Sequence, residues 1–152
     1  MIPATSRRVA EHTAGHVNEQ IRERINESVL YHAEHEHEID ARLRQLDHEW
    51  DIERTLEANA AAISLIGLTF GLAVDRRWLA LPIGVAAFLL QHAVQGWCPP
   101  VPVFRRLGVR TAAEIEEERF ALKALRGDFA SLPRADGDAR ERGRRALQAA
   151  RL

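Results

Sequence analysis

The sequence predicts an all-α membrane protein, a two-helix transmembrane hairpin flanked by cytoplasmic amphipathic helices, and three observations predict it. Residues 58–74 and 78–98 are two runs without formal charge, apart from His92 when protonated, and only Asp75, Arg76 and Arg77 part them. Such lengths bracket the ~20 residues that cross a hydrocarbon core about 30 Å thick. Apolar residues before and after these runs recur three and four apart, the period of one helix face. Trp78 and Trp97 stand at the two ends of the second run, as in an aromatic belt at the two headgroup layers.

Residues 1–16 carry Pro3, Gly15 and scattered polar side chains without a period, and read as a flexible lead-in. Val17, Ile21, Ile25 and Val29 then form a narrow stripe that lapses through 33–38 and resumes at Ile39, Leu43, Leu46 and Trp50. Glu38 with Arg42 and Asp40 with Arg44 add favourable i,i+4 pairs. The expectation is one long amphipathic helix over 17–56, either continuous or broken near 33–38.

Residues 57–98 form the hairpin. Arg54 to Asp75 spans about 31 Å at the helical rise and Trp78 to Trp97 about 28 Å. A tight turn at 75–77 makes the pair antiparallel. Over 99–130, Pro99, Pro100 and Pro102 cannot continue a helix and favour extended backbone. Thr111 with Glu114 is a capping box that opens a helix of about 112–126. Ile115, Leu122 and Leu125 lie on one side of it, and Gly127 is its stop. Residues 131–152 read as a basic, mobile tail with a nascent helix at its end.

Composition narrows the function. The chain has 152 residues, the size of one domain. Its formal charge of -1 removes the electrostatic footprint of a nucleic-acid binder. The charge is graded: 7 Arg against 13 acids up to residue 57, then 12 bases against 8 acids from residue 99. A single cysteine, Cys98, excludes an intrachain disulfide framework. The first ten residues lack an apolar run, so no cleaved signal peptide is expected. Near the ends of the runs, Arg42, Arg44, Arg54, Arg105, Arg106 and Arg110 face only Arg76 and Arg77 in the turn. The positive-inside rule then places both termini in the cytoplasm.

A soluble helical bundle with the hairpin as its core is the competing reading, because buried helices are also apolar all round. Asn59, Gln91, His92 and Gln95 would suit such a core. The narrow flanking stripes, however, offer little surface with which to wrap two such runs.

Gly96, Cys98 and Pro99, followed by Leu107, Gly108 and Thr111, spell G-x-C-P and L-G-x-x-T. Over about Arg54 to Thr111 the chain resembles the YgaP-like transmembrane domain family, whose two-helix hairpin ends in those motifs. The resemblance implies a hairpin in the bacterial inner membrane, of unknown function, in some relatives fused to a rhodanese-type sulfurtransferase. No rhodanese domain fits here, since neither flank alternates strands and helices.

Several constellations are candidates for a site. Ala60, Ser64, Gly67 and Gly71 form a small-residue strip on the first run, with a G-x-x-x-G inside it, and Ala80, Gly84 and Ala87 form another on the second. Small faces let helices approach closely in lipid, which serves either packing within the hairpin or a homodimer. Asn59, Gln91, His92 and Gln95 return to one depth in an antiparallel hairpin and form a candidate polar cluster. Cys98 is a candidate reactive thiol beside cations that would lower its pKa. His32, His35 and Glu36 have spacings that suit metal chelation from one helix face, although a solvated patch is the plainer account.

Phosphate loops, nucleophile signatures and zinc-finger spacings are absent from the sequence. No catalytic set and no cofactor is therefore implied. The expected role is a non-enzymatic anchor or assembly module in the lipid bilayer, as a homo-oligomer, with a dimer favoured, or bound to a cytoplasmic protein, without nucleic acid. A sulfur-handling or redox role at Cys98 and a soluble interaction bundle are the alternatives.

Overall fold

The computed structural model describes residues 8–130 and 139–150. Among the described residues every regular element is helical and none is a strand. The chain divides into two compact units. The first takes the described residues up to Arg24 together with Glu49–Ile115, and the second takes Ile25–His48 and the described residues from Glu116 onward. Parts of the expected lead-in, 1–7, and of the expected tail, 131–138, lie outside the described residues.

Helix α1 is the short Arg8–Glu11, and α2 runs over Gly15–Glu34. A 3-10 turn at Glu36–Glu38 separates α2 from α3, Ile39–His48. Where the sequence reading carries this helix to residue 56, the chain breaks a second time before α4, Ile52–Ala73. The reason is local. Asp51 is extended and its side chain accepts from Arg54 N–H at 2.8 Å, so it caps a new helix instead of continuing the old one. Ile52 N–H donates to the Arg110 carbonyl at 2.8 Å, which satisfies another donor at the new helix start.

In the first unit, α4 turns back on α5, Ala80–Gln95, through a 3-10 turn at Arg76–Leu79. Asp75 opens that turn by accepting from Arg77 N–H at 2.9 Å. Two glycines of α4 set how close the return leg of the hairpin comes. A Cβ on Gly67 would lie 2.6 Å from Pro82 Cδ, and one on Gly71 2.5 Å from Leu79 Cδ2. Both are sub-contact distances; the rigid Pro82 ring makes glycine necessary at 67, whereas the Leu79 side chain can turn away from 71.

The helix α5 ends at Gly96, whose φ of +79° closes a left-handed cap with its N–H on the His92 carbonyl at 2.7 Å. Residues 99–102, expected to be extended, instead lead into helix α6, Val101–Arg106. Pro100 and Pro102 fall at and just inside its start, where a missing N–H costs nothing. The core of this unit lies at the open end of the hairpin: Val9, Ile52, Leu56, Cys98 and Val101 are buried together, with Phe104 and Val109 against them.

Among the described residues two helical stretches are long and apolar enough to cross a membrane, Glu36–Ala73, which ends with α4, and Arg76–Gln95, which is α5 with its preceding turn. Only 17% and 6% of their most apolar stretches are buried. Leu65, Ile66, Leu72, Ile83 and Leu90 are exposed, Leu72 to 84%.

Helix α7, Ala112–Arg126, opens on the reciprocal capping box: Thr111 N–H donates to Glu114 Oε2 at 2.7 Å and Glu114 N–H to Thr111 Oγ1 at 3.3 Å. Gly127 follows with φ +87°. In the second unit Ile25, Ile39, Leu43, Leu46 and Leu122 are buried, whereas Leu125 is exposed. Glu118 of α7, fully buried, accepts from Ser28 at 2.6 Å and from Arg42 at 2.8 and 3.1 Å. That accounts for both carboxylate oxygens, which a buried charge needs. Helix α8, Ala139–Ala150, occupies most of the end of the expected tail.

Candidate functional site

The chemistry-bearing groups of the first unit gather at the open end of the hairpin. His92 sits one turn before the end of α5 and is 3% exposed. Its Nε2 lies 2.8 Å from Glu53 Oε2 on the first turn of α4. Glu53 Oε1 accepts from Arg8 Nη2 at 2.8 Å, and Arg8 Nη1 donates to the Ala93 carbonyl at 3.0 Å. Arg8 thus joins α1 to both legs of the hairpin, and its cation caps a carbonyl near the C-terminus of α5, where the helix dipole favours positive charge. A Cβ on Gly96 would lie 2.6–2.7 Å from Arg8 atoms, including its backbone carbonyl carbon, so α1 docks against bare backbone.

A second charged knot lies beside α6. Arg105, fully buried, donates to both oxygens of Glu114 at 2.6 Å, to Asn18 Oδ1 and to the Val109 carbonyl at 3.0 Å each. Burial pushes the Glu114 carboxyl up, but the Arg105 fork and the Thr111 N–H outweigh it and hold it below the usual carboxylate range. Arg110, also buried, makes a two-point pair with Glu49 at 2.7 and 2.6 Å.

Cys98 lies beyond α5 and is 2% exposed. The expectation that nearby cations lower its pKa is corrected. Burial pushes the thiol up, the Val101 N–H opposes that, and the Glu53 carboxylate adds to it. The thiol lines a half-open apolar cavity of about 180 Å³ together with Leu56, Asn59, Ile63, Phe88 and Pro99, between the legs of the hairpin.

The expected polar cluster does not assemble. His92 pairs with Glu53, and among the described residues no hydrogen bond joins Asn59, Gln91 or Gln95 to one another or to His92. Gln95 is exposed and Gln91 half-buried. The two small-residue strips also part company. Ala60, Gly67 and Gly71 are buried and Ser64 is half-buried, whereas Ala80 and Ala87 are exposed and a Cβ on Gly84 would meet nothing within 4 Å.

The candidate metal ligands are also dispersed, because α2 ends at Glu34 and Glu36 belongs to the next turn. His32 Nδ1 is 2.7 Å from the Ser28 carbonyl, and His35 Nδ1 is 2.8 Å from that of Tyr31, on whose ring His35 stacks. Among the described residues no group of three or more His, Cys, Asp or Glu side chains is placed to hold a metal ion.

Sequence reasoning passed over Arg8, Glu53, Arg105, Glu114 as a partner of Arg105, and Glu118. One signal was available for Glu53. An imidazole in an apolar run needs a partner, and the antiparallel return brings residues 53 and 92 to one depth. No protein-family model, curated protein or solved structure matches this chain.

Proposed function

We propose that this chain is a small integral protein of the bacterial inner membrane that acts as a non-enzymatic anchor or assembly module. Both termini lie in the cytoplasm, and a second copy or a cytoplasmic protein is its partner. The observation that carries this reading is the bareness of the hairpin, with 17% and 6% of its two most apolar stretches buried. A soluble bundle would have to cover Leu65, Ile66, Leu72, Ile83 and Leu90, and all five are exposed. A continuous apolar face of this kind is stable only against lipid or protein. Backbone groups pose no obstacle in lipid, since helices satisfy them internally.

The polar groups support the same arrangement. Glu53, His92 and Arg8 meet at the open end of the hairpin, where charge belongs in a span whose middle holds none. The arginine count places that end in the cytoplasm by the positive-inside rule, and the resemblance to the YgaP-like hairpin family supplies the bacterial inner membrane. The outward strip of Ala80, Gly84 and Ala87 is a surface on which a second copy could approach. A sulfur or redox role at Cys98 gains no support from a buried thiol in apolar surroundings.

Alkaline carbonate extraction of native membranes tests the reading: the protein stays in the pellet, and its release into the supernatant would overturn membrane insertion. Crosslinking in the same membranes should give a dimer or a defined heteromeric band. Monomer alone, with no co-purifying protein, would end the module reading while leaving insertion intact.

A further inference from the structure

The second unit contains a polar cleft of about 560 Å³, lined by Asp40, Arg44 and Asp47 of α3 and Arg119, Lys123 and Arg126 of α7. Its two acids are already engaged. Asp47 accepts from Arg119, and Asp40 from Arg126 Nη1 at 2.5 Å. Each arginine is held again from another side, Arg119 by Glu116 at 2.9 Å and Arg126 by Asp128 at 2.8 and 2.6 Å. Four carboxylates therefore fix two guanidinium groups in the cleft wall.

Two cations remain outside these pairs. Arg44 is exposed, and Lys123 is only 8% exposed. Among the described residues neither makes a hydrogen bond or an ion pair. Asp128 feels the Lys123 charge, but both of its oxygens are taken by the Arg126 fork. Lysine is almost never buried this far without a counter-charge in contact. Lys123 is thus nine-tenths buried as a residue, and its ammonium, not itself enclosed, lines without a contact partner a cleft large enough to admit one.

We propose that this cleft binds a phosphate-class oxyanion, with Lys123 and Arg44 as the contacting cations and the braced Arg119 and Arg126 as its fixed wall. A tetrahedral phosphate offers several acceptors at once, which suits an ammonium point charge beside a guanidinium fork. The four carboxylates balance the four cations over the cluster as a whole. Binding is accordingly modest and falls as salt is raised.

The experiment is calorimetric titration of inorganic phosphate into the purified full-length protein in a neutral detergent. The wild type should show saturable binding, and Lys123→Met should weaken it roughly tenfold or more, as loss of a charge-assisted bond does. Arg44→Gln, on an exposed side chain, should weaken it by a smaller factor without disturbing the fold. Lys123→Arg keeps the charge and should retain binding, which separates loss of the site from loss of structure. No saturable binding by the wild type, or equal binding by Lys123→Met, overturns the proposal. Competition by micelles containing phosphatidylglycerol assigns the site to a lipid headgroup. Competition by glycerol phosphate alone assigns it to a soluble phosphate ester.

Discussion

The two ends of the first unit are stabilised in opposite ways. At the open end, buried and half-buried polar groups are knotted to one another: Arg105 with Glu114 and Asn18, Arg8 with Glu53, Glu53 with His92. Along the legs, no ion pair ties α4 to α5 beyond that end among the described residues, and closeness depends on what is missing, the side chains of Gly67 and Gly71. A knot of charges fails when one member is lost. A glycine contact fails when something is added. The outward strip on α5 obeys neither rule, because among the described residues Ala80 and Ala87 are exposed and nothing lies within 4 Å of a Cβ on Gly84.

The contrast is sharpest at Arg105. Glu114→Ala strands a fully buried guanidinium, and removing one partner of a buried pair costs about 3–5 kcal/mol. Equilibrium unfolding in mixed micelles should register that loss, and Arg105→Leu combined with Glu114→Leu should recover part of it. If the single and double variants were equally unstable, the charges would not be the source of the cost.

The same contact fixes the response to acid. Glu114 is held below its ordinary range in the folded chain, so the stability it contributes is present above the unfolded carboxylate pKa. That stability is lost as pH falls through that value toward the lower folded one. Unfolding midpoints measured from neutral to acid pH should fall in the wild type and fall less in the double leucine variant.

On the legs, Gly67→Leu drives a side chain into the rigid Pro82 ring and should cost about 1–3 kcal/mol by overpacking. Gly96→Ala forces a Cβ into a left-handed residue already touching Arg8, at about 1–2 kcal/mol. Faster amide exchange at 8–11 would report the release of α1. Gly84→Leu enters open space and should change monomer stability by less than about 0.5 kcal/mol, while reducing any crosslinked dimer. A large monomer effect at Gly84 would mean that the two glycine faces do not differ as described.

The parts of this fold legible in the sequence are the ones fixed by neighbours along the chain. The Thr111 and Glu114 box needs only a three-residue spacing, and the uncharged runs announce two long apolar helices by length alone. The second break, at 49–51, was masked because Trp50 and Ile52 sit in an apolar pattern that a continuous helix would also show. It takes the cap by Asp51 and the bond from Ile52 to Arg110 to end the period there. The prolines were misread because a single proline signals extended chain in isolation but is neutral in the first turn of a helix.

The candidate site was the least legible part. His92 was visible as an oddity, but its partner lies 39 residues away, and Arg8 bridges 85 residues to Ala93. Spacing identified the glycine faces and could not say which of them α5 would cover. That depends on the rotation of each leg about its own axis, a tertiary outcome.

Arg105 carries a consequence for biosynthesis. Asn18 precedes it by 87 residues, with both legs of the hairpin in between, and Glu114 follows it by nine. Both legs of the hairpin are therefore synthesised before the last partner of that guanidinium exists. Burial of the guanidinium thus draws together chain from both sides of the hairpin, and its set of partners is complete only when residues 18, 105 and 114 have met.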